Sequence, residues 1–178
     1  MNLDEYRGLD HSNDQSYYYF MMENLFKHIN VPHDRIHVLS GTAADVEAEC
    51  GHYEDKIKAA GGIDLQILGI GRNGHIAFNE PAADFAPATH IVELTESTIE
   101  ANKRFFASAD DVPRRALTMG IGSIMKARSI VIIATGSDKA EAVRDMVKGP
   151  ISPSCPASIL QAHPDTVVMV DEAAGALL

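Results

Sequence analysis

A histidine, a glutamate and an asparagine stand close together in one glycine-rich stretch. After the apolar run Ile63–Leu68, the segment Gly69–Pro81 carries Asn73, His75 and Glu80. Histidine takes up and releases protons near neutral pH, and a neighbouring carboxylate raises its basicity and fixes its tautomer. The stretch therefore predicts a proton relay. A packing histidine and a solvated loop glutamate are the alternatives.

An acidic pair near the start of the chain is a second source of proton chemistry. Asp4 and Glu5 lie where the pattern of Met1–Tyr6 predicts that a strand passes into a loop. A carboxylate at such a junction can act as a general base. Surface acids are common in an acidic chain, and the pattern does not choose between the two residues.

Two basic residues are candidates for holding an anion. Lys139 ends the segment Ile133–Lys139, which has the pattern of a strand, a turn and a helix start. Backbone N–H groups at a helix start attract negative charge, and a lysine there adds to the attraction. Arg104 lies on a preceding predicted helix, where a solvated arginine is the alternative. Together the two residues predict a phosphate clamp.

Alternating strands and helices are predicted to position these groups. Ile63–Ile70 and Ser129–Ala134 are apolar runs, and the second is β-branched, as in a parallel sheet covered on both faces. Other predicted elements are a strand over Arg35–Leu39, a strand over Thr166–Val170, and helices over Asp14–Asn30 (capped by Asp14), Thr42–Ala60, Arg115–Met125 and Asp138–Lys148. We predict the α/β class, with a Rossmann-like, mainly parallel sheet, helices on both faces and one domain over residues 1–178.

Composition restricts the kinds of partner. The formal charge of −10 argues against nucleic acid and against an anionic membrane surface, although a few local cations suffice for a phosphorylated metabolite. Cys50 and Cys155 match no metal or redox spacing, and no histidines and carboxylates are spaced as metal ligands. No apolar run approaches the roughly 20 residues that span a bilayer. We expect a soluble, cytoplasmic protein.

The motifs, taken in order, closely resemble the glucosamine-6-phosphate deaminase family, whose members are also called glucosamine-6-phosphate isomerases. The matching stretches are Asn2–Tyr6, Ser16–Phe20, Gly69–Pro81, Arg104–Phe106, Ala116–Gly120 and Pro156–Leu160. They extend over nearly the whole chain, and Gly-His-Ile-Ala-Phe-Asn-Glu-Pro is highly specific. The related 6-phosphogluconolactonases share the fold but continue differently after their Gly-His.

The resemblance implies conversion of glucosamine 6-phosphate and water to fructose 6-phosphate and ammonia, with no metal or organic cofactor. By matching position, His75, tuned by Glu80 and Asn73, would open the sugar ring. Asp4 would move a proton from C2 to C1 through an enolamine. Arg104 and Lys139 match the family's phosphate contacts.

The chain departs from the family pattern at three places. Some members have aspartate where this chain has Asn73, so the relay here would rest on His75 and Glu80. The stretch Ala82–Glu93 lacks the basic and hydroxyl residues of members regulated by N-acetylglucosamine 6-phosphate, and we expect no such effector site. Members also begin several dozen residues earlier, with a strand and a phosphate-gripping loop. We therefore expect a chain truncated at its N-terminus that lacks the first strand and binds substrate weakly.

Two other functions compete with the deaminase. One is 6-phosphogluconolactonase activity, which the Phe78–Pro81 continuation disfavours. The other is a catalytically weak or silent module that binds sugar phosphates. The resemblance leaves the oligomeric state open, and without the effector residues we expect a monomer or a small homo-oligomer.

Overall fold

The computed structural model describes residues 1–178, which form six strands and five α-helices joined by short 3₁₀ turns. The strands are β1 (Asp4–Tyr6), β2 (Leu65–Gly69), β3 (His90–Glu93), β4 (Arg115–Thr118), β5 (Ser129–Ala134) and β6 (Thr166–Val170). The helices are α1 (Tyr17–Asn24), α2 (Val46–Ala59), α3 (Glu96–Asn102), α4 (Ile121–Ile124) and α5 (Ala140–Lys148). The α/β class predicted from sequence is confirmed. No helix is both long enough and apolar enough to cross a membrane.

A three-stranded parallel sheet has the order β2-β5-β6. Its strands are the predicted apolar runs, and Leu68 of β2 lies beside Ile132 of β5 in register. The loops that follow Gly69 and Ala134 therefore leave the same edge of the sheet. In parallel sheets this carboxyl edge is where ligands bind. It brings the glycine-rich stretch and the Lys139 junction to one end of the molecule.

A second three-stranded sheet is antiparallel, with the order β1-β4-β3. Its central strand β4 pairs with β1 so that Asp4 lies opposite Thr118, and with β3 so that His90 lies opposite the same threonine. Leu117 and Thr118 are fully buried. This sheet sets Asp4 into the interior.

The two faces of the parallel sheet have different surroundings. Inward side chains such as Ile130 and Ile132 belong to a core of 21 buried residues that includes Tyr53 of α2 and Val143 of α5. The opposite face is apolar yet exposed, through side chains that alternate with the buried ones: Leu65, Ile67, Ile133, Val167 and Met169. Helices do not cover both faces, so that part of the prediction needs correction.

The predicted helix over Arg115–Met125 is wrong, because its first half is strand β4 and only Ile121–Ile124 is helical. The predicted strand over Arg35–Leu39 is also absent, since the carbonyl of His37 bonds to the Asn2 N–H and the Tyr53 hydroxyl instead of a ladder. The first helix is shorter than predicted.

Side-chain caps mark where the helices start. Ser16, not Asp14, caps α1 through a bond from the Tyr19 N–H, and Thr95 caps α3. Asp45 caps α2 by accepting from the Ala48 N–H at 2.9 Å. Each cap satisfies a backbone donor that has no partner inside the helix.

Candidate active site

The carboxylate of Asp4 stands at the start of β1 and is 9% exposed. Its Oδ1 accepts a hydrogen bond from the Thr118 hydroxyl at 2.5 Å and one from the Phe78 N–H at 3.3 Å. Burial raises the pKa of Asp4 to about 7, although both hydrogen bonds and the charge of His75 act in the opposite direction. A carboxylate with this pKa is half ionised near neutral pH, which suits a general base.

A tight turn after β2 presents His75. The Gly71 N–H donates to the His75 carbonyl at 2.9 Å, and Gly74, at φ 81°, donates to the Gly71 carbonyl. The imidazole lies against the Gly71 backbone, where an added Cβ would stand 2.4 Å from its Cε1. Glycine at this position therefore makes room for the ring, as expected where backbone approaches a functional group closely.

Glu80 is buried beside this imidazole. Its Oε2 lies 3.3 Å from His75 Nδ1, with the ring turned off the line of a good hydrogen bond. Its Oε1 accepts from the hydroxyls of Thr98 at 2.5 Å and Thr95 at 3.2 Å. Burial acts to raise the pKa of Glu80, but the proximity of His75 and the hydrogen bonds from Thr98 and Asn73 outweigh it and lower the pKa to about 2. Glu80 is therefore ionised at any working pH.

Asn73 bridges the glutamate and the turn. Its Nδ2 donates to Glu80 Oε2 at 2.7 Å, and its Oδ1 accepts from the His75 N–H at 3.3 Å. An amide can do both because it carries a donor and an acceptor. The neutral side chain thus fixes the glutamate without adding a second negative charge.

One sharp turn connects the histidine to the aspartate. Ala77 has φ 52°, and is the one non-glycine residue with a positive φ. The Asn79 side chain donates to the carbonyls of Ile76 at 3.0 Å and Met119 at 2.9 Å, which pins the turn to the end of β4. The Phe78 N–H then points at Asp4. The turn from His75 to Asn79 therefore carries the imidazole at its start and a hydrogen-bond donor to Asp4 at Phe78.

The basic residues meet at the other carboxyl-edge loop. Lys139 is half-buried, and its pKa is lowered by burial and by the nearby charges of Arg72 and Arg104, against the effect of Asp138. Arg72 donates from Nε to Asp138 Oδ2 at 2.8 Å. Arg104 is exposed, with its guanidinium 4.7 Å from the centre of the Phe105 ring. Three cations thus lie near one another.

The structure distinguishes the two acids at the start of the chain. Glu5 is fully buried, and its carboxylate accepts from the N–H groups of Tyr6 at 2.8 Å and of Tyr17 and Tyr18 at 3.0 Å. It therefore holds the first turn of α1, whereas Asp4 lies next to the histidine turn. Because Glu5 is fully buried, a substrate cannot reach its carboxylate.

Several site residues escaped the sequence reasoning. Thr118 lies 114 positions from Asp4 and within a predicted helix, so nothing in the local sequence indicates their contact. Nothing in the sequence near Thr95 and Thr98 indicates their contacts with Glu80, and Arg72 is recognisable only as part of the glycine-rich stretch. The structure brings together Asp4, Asn73, His75 and Glu80, and it groups Arg104 with Lys139.

Comparison with known proteins points to one family. The sequence profile described as glucosamine-6-phosphate isomerases/6-phosphogluconolactonase matches residues 2–169. A glucosamine-6-phosphate deaminase of Clostridioides difficile (strain 630) is 60% identical over 177 residues, which are 99% of this chain and 71% of the relative.

Solved structures agree with the sequence match. A monomeric glucosamine-6-phosphate deaminase superposes with a TM-score of 0.97 at 46% identity, covering 99% of this chain and 73% of that one. A 6-phosphogluconolactonase from Trypanosoma brucei has a TM-score of 0.71 at 18% identity, covering 98% of this chain and 72% of that one. At that identity the second likeness shows a shared fold and nothing more.

Proposed function

The chain belongs to the glucosamine-6-phosphate isomerase/6-phosphogluconolactonase family, and from that premise we propose that it converts glucosamine 6-phosphate and water into fructose 6-phosphate and ammonia. The observation that carries the proposal is the pairing of a buried carboxylate with an imidazole across one turn. Asp4 accepts from the Phe78 N–H, three residues after His75. An aldose–ketose isomerisation needs both a ring-opening group and a base.

Ring opening falls to His75. Because Nδ1 faces the ionised Glu80, Nε2 is the nitrogen left for the sugar. Nε2 takes the proton of the C1 hydroxyl, and the imidazolium donates this proton to the ring oxygen as the bond between C1 and the ring oxygen breaks. Glu80 stabilises the imidazolium that forms in between, as a carboxylate behind a histidine does in other acid–base sites.

Proton transfer between carbons falls to Asp4. The carboxylate removes the C2 proton of the open-chain sugar, the electron pair forms a C1–C2 double bond, and the carbonyl oxygen at C1 takes a proton from solvent to give an enolamine. Return of the proton to C1 leaves an iminium at C2, which water hydrolyses to the ketone and ammonia. A base whose pKa is about 7 holds and releases a proton with comparable ease.

Lys139 and Arg104 bind the phosphate group of the substrate. The Arg72–Asp138 ion pair connects the histidine turn to the residue before Lys139, so the cations stand at the same edge as the imidazole. Phosphate bound there would orient C1 and C2 towards the proton-handling groups. We propose that the enzyme acts in amino-sugar catabolism in the cytoplasm, as a monomer or small homo-oligomer.

Lactonase activity is the weaker alternative. Its support is a fold likeness at 18% identity, whereas the deaminase relative is 60% identical. Hydrolysis of a lactone also gives no role to a base that moves a carbon-bound proton.

The test is a paired assay of the purified chain. With glucosamine 6-phosphate we expect equimolar fructose 6-phosphate and ammonia, and kcat/KM should fall below about pH 7 as Asp4 is protonated. The same preparation should not hydrolyse 6-phosphogluconolactone above the spontaneous rate. Lactone hydrolysis without ammonia release would reject the proposal.

A further inference from the structure

Thr118 is buried completely, on the strand that pairs with β1, and its hydroxyl touches two groups of the site. The Phe78 N–H donates to Thr118 Oγ1 at 3.0 Å, and Thr118 Oγ1 donates to Asp4 Oδ1 at 2.5 Å. Resting on the proposed function, we propose that Thr118 is a positioning residue that confines the transferred proton to the Oδ2 oxygen of Asp4.

The direction of the Thr118 hydroxyl follows from its neighbours. A hydroxyl has one proton to donate and lone pairs to accept with. A backbone N–H can only donate, so the Phe78 N–H donates to a lone pair of Thr118 Oγ1. The hydroxyl proton of Thr118 is then free to be donated to Asp4. Oδ1 of Asp4 must then act as an acceptor whether the carboxyl group is charged or neutral.

Oδ2 of Asp4 has no such partner. It accepts no hydrogen bond from the protein, and it is not among the buried polar atoms that lack one, so it keeps access to the site. When Asp4 takes the C2 proton, the new O–H bond forms at Oδ2. The same oxygen then returns the proton to C1. Because Oδ1 already accepts hydrogen bonds from Thr118 and Phe78, the transferred proton cannot move from Oδ2 to Oδ1.

Thr118 also acts on the charge of Asp4. The titratable groups that face this carboxylate from the surrounding elements are His75 on the turn, Glu5 on the same strand, and the tyrosines Tyr6, Tyr17 and Tyr53, whose own pKa values the charge of Asp4 raises. The Thr118 hydrogen bond favours the ionised form of Asp4, as do the Phe78 N–H and the charge of His75. Without the Thr118 hydrogen bond, Asp4 holds its proton to a higher pH.

The experiment compares Thr118→Val, which keeps the shape and removes the hydroxyl, with Thr118→Ser, which keeps the hydroxyl. We expect Thr118→Val to lower kcat by about 10–100-fold with KM within about threefold, because proton transfer and not binding is affected. Thr118→Ser should stay within about threefold of the wild type. The acid limb of the pH profile should move to higher pH in Thr118→Val only.

Substrate labelled with deuterium at C2 allows the transfer of label from C2 to C1 to be measured. A general structural defect would not change the fraction of label transferred per turnover. In the wild type, part of the label should reappear at C1 of fructose 6-phosphate, because one oxygen takes and returns it. In Thr118→Val, the neutral carboxyl group can hold the label on either oxygen. The fraction carried to C1 should then fall at least about twofold, as the label is lost to solvent.

Thr166→Val is the matched control. Thr166 is the first residue of β6, at the opposite edge from the site, and its buried hydroxyl has no partner. It should change neither the label transfer nor the pH profile. If Thr118→Val does not fold, Thr118→Ala carries the same expectations.

An unchanged label transfer and acid limb in an active Thr118→Val enzyme would overturn the inference and leave the proposed function standing. A wild type that forms no fructose 6-phosphate would instead reject the proposed function itself.

Discussion

Asp4 and Lys139 stand at the starts of two different elements, and the protein holds them in different ways. Asp4 is 9% exposed and fixed by a strand ladder, a hydroxyl and a backbone N–H. Lys139 is half-buried, and its companion Arg72 has a side chain that is 66% exposed. The buried half of the site, which contains Asp4, His75 and Glu80, is thus held by short hydrogen bonds. The cationic half, which contains Arg72, Arg104 and Lys139, consists of exposed or half-buried charges with fewer contacts that fix their positions.

This difference predicts which kinetic constant each half controls. Proton transfer depends on distances of a few tenths of an ångström, so defects in the buried half should appear in kcat. A phosphate is attracted over longer distances and is held in the ground state as well as the transition state. Losses in the exposed half should appear mainly in KM.

The largest effect is expected for Asp4→Asn, which removes the base from the buried half. We expect kcat to fall by at least about 10³-fold, as seen when an essential acid–base group is lost. Asp55→Asn, on the exposed side of α2, is the control and should keep full activity. Turnover of Asp4→Asn within tenfold of the wild type would mean that another group is the base.

The same variant should gain stability in a pH-dependent way. The folded protein raises the pKa of Asp4 from 3.8 to about 7, so ionising the group costs folding free energy as pH rises from about 4 past 7. Asparagine avoids a cost on the order of 2–4 kcal/mol. We expect the Tm of Asp4→Asn to exceed that of the wild type by about 4–10 °C at pH 8 and to match it at pH 4.

Glu80→Gln tests whether the imidazole depends on its buried partner. The glutamine keeps the shape but removes the charge that stabilises an imidazolium, so we expect kcat to fall by about 10–100-fold with KM little changed. Glu141→Gln, on the exposed face of α5, is the matched control. A loss confined to KM would place Glu80 in substrate binding instead.

Lys139→Gln tests the cationic half. We expect KM for glucosamine 6-phosphate to rise by about 10–50-fold and kcat to stay within about threefold, because charge at the phosphate is lost and the proton-handling groups remain. Lys148→Gln at the far end of α5 should leave both constants unchanged. If kcat fell as steeply as for Glu80→Gln, the two halves would not be separable.

The smallest effect is expected for Arg72→Gln. This exposed cation acts on phosphate from a distance, so we expect KM to rise by about 2–5-fold at low salt, with the difference disappearing at about 0.5 M salt. Arg128→Gln is the control, since Arg128 forms a similarly exposed ion pair with Asp64 near the start of β2. A salt-independent rise in KM would indicate a direct contact instead.

The parallel sheet and the glycine-rich turn are predictable from the sequence, because both depend on local pattern. Ser129–Ala134 is strand β5 to the residue, as a continuous β-branched run predicts. The antiparallel sheet is harder to predict from the sequence. Arg115–Thr118 has no alternation, since its last three residues are all buried, and only pairing with β1 and β3 makes it a strand.

The site divides in the same way. Asn73, His75 and Glu80 lie within eight positions, and their mutual contacts follow from one turn. The Thr118 contact with Asp4 requires the strand register, and the grouping of Arg72 with Lys139 requires the relative position of two loops. Such long-range pairings come from packing, which a single sequence does not display.

The left-handed Ala77 turn has a consequence for how this enzyme can change. His75 precedes it and the Phe78 amide follows it, so a rotation of this one residue displaces the imidazole and the aspartate's donor together. Ring opening by His75 and proton transfer by Asp4 therefore both depend on the backbone conformation of Ala77. Adjusting one of them alone has to come from outside the turn, through the threonines behind Glu80 or the one beside Asp4.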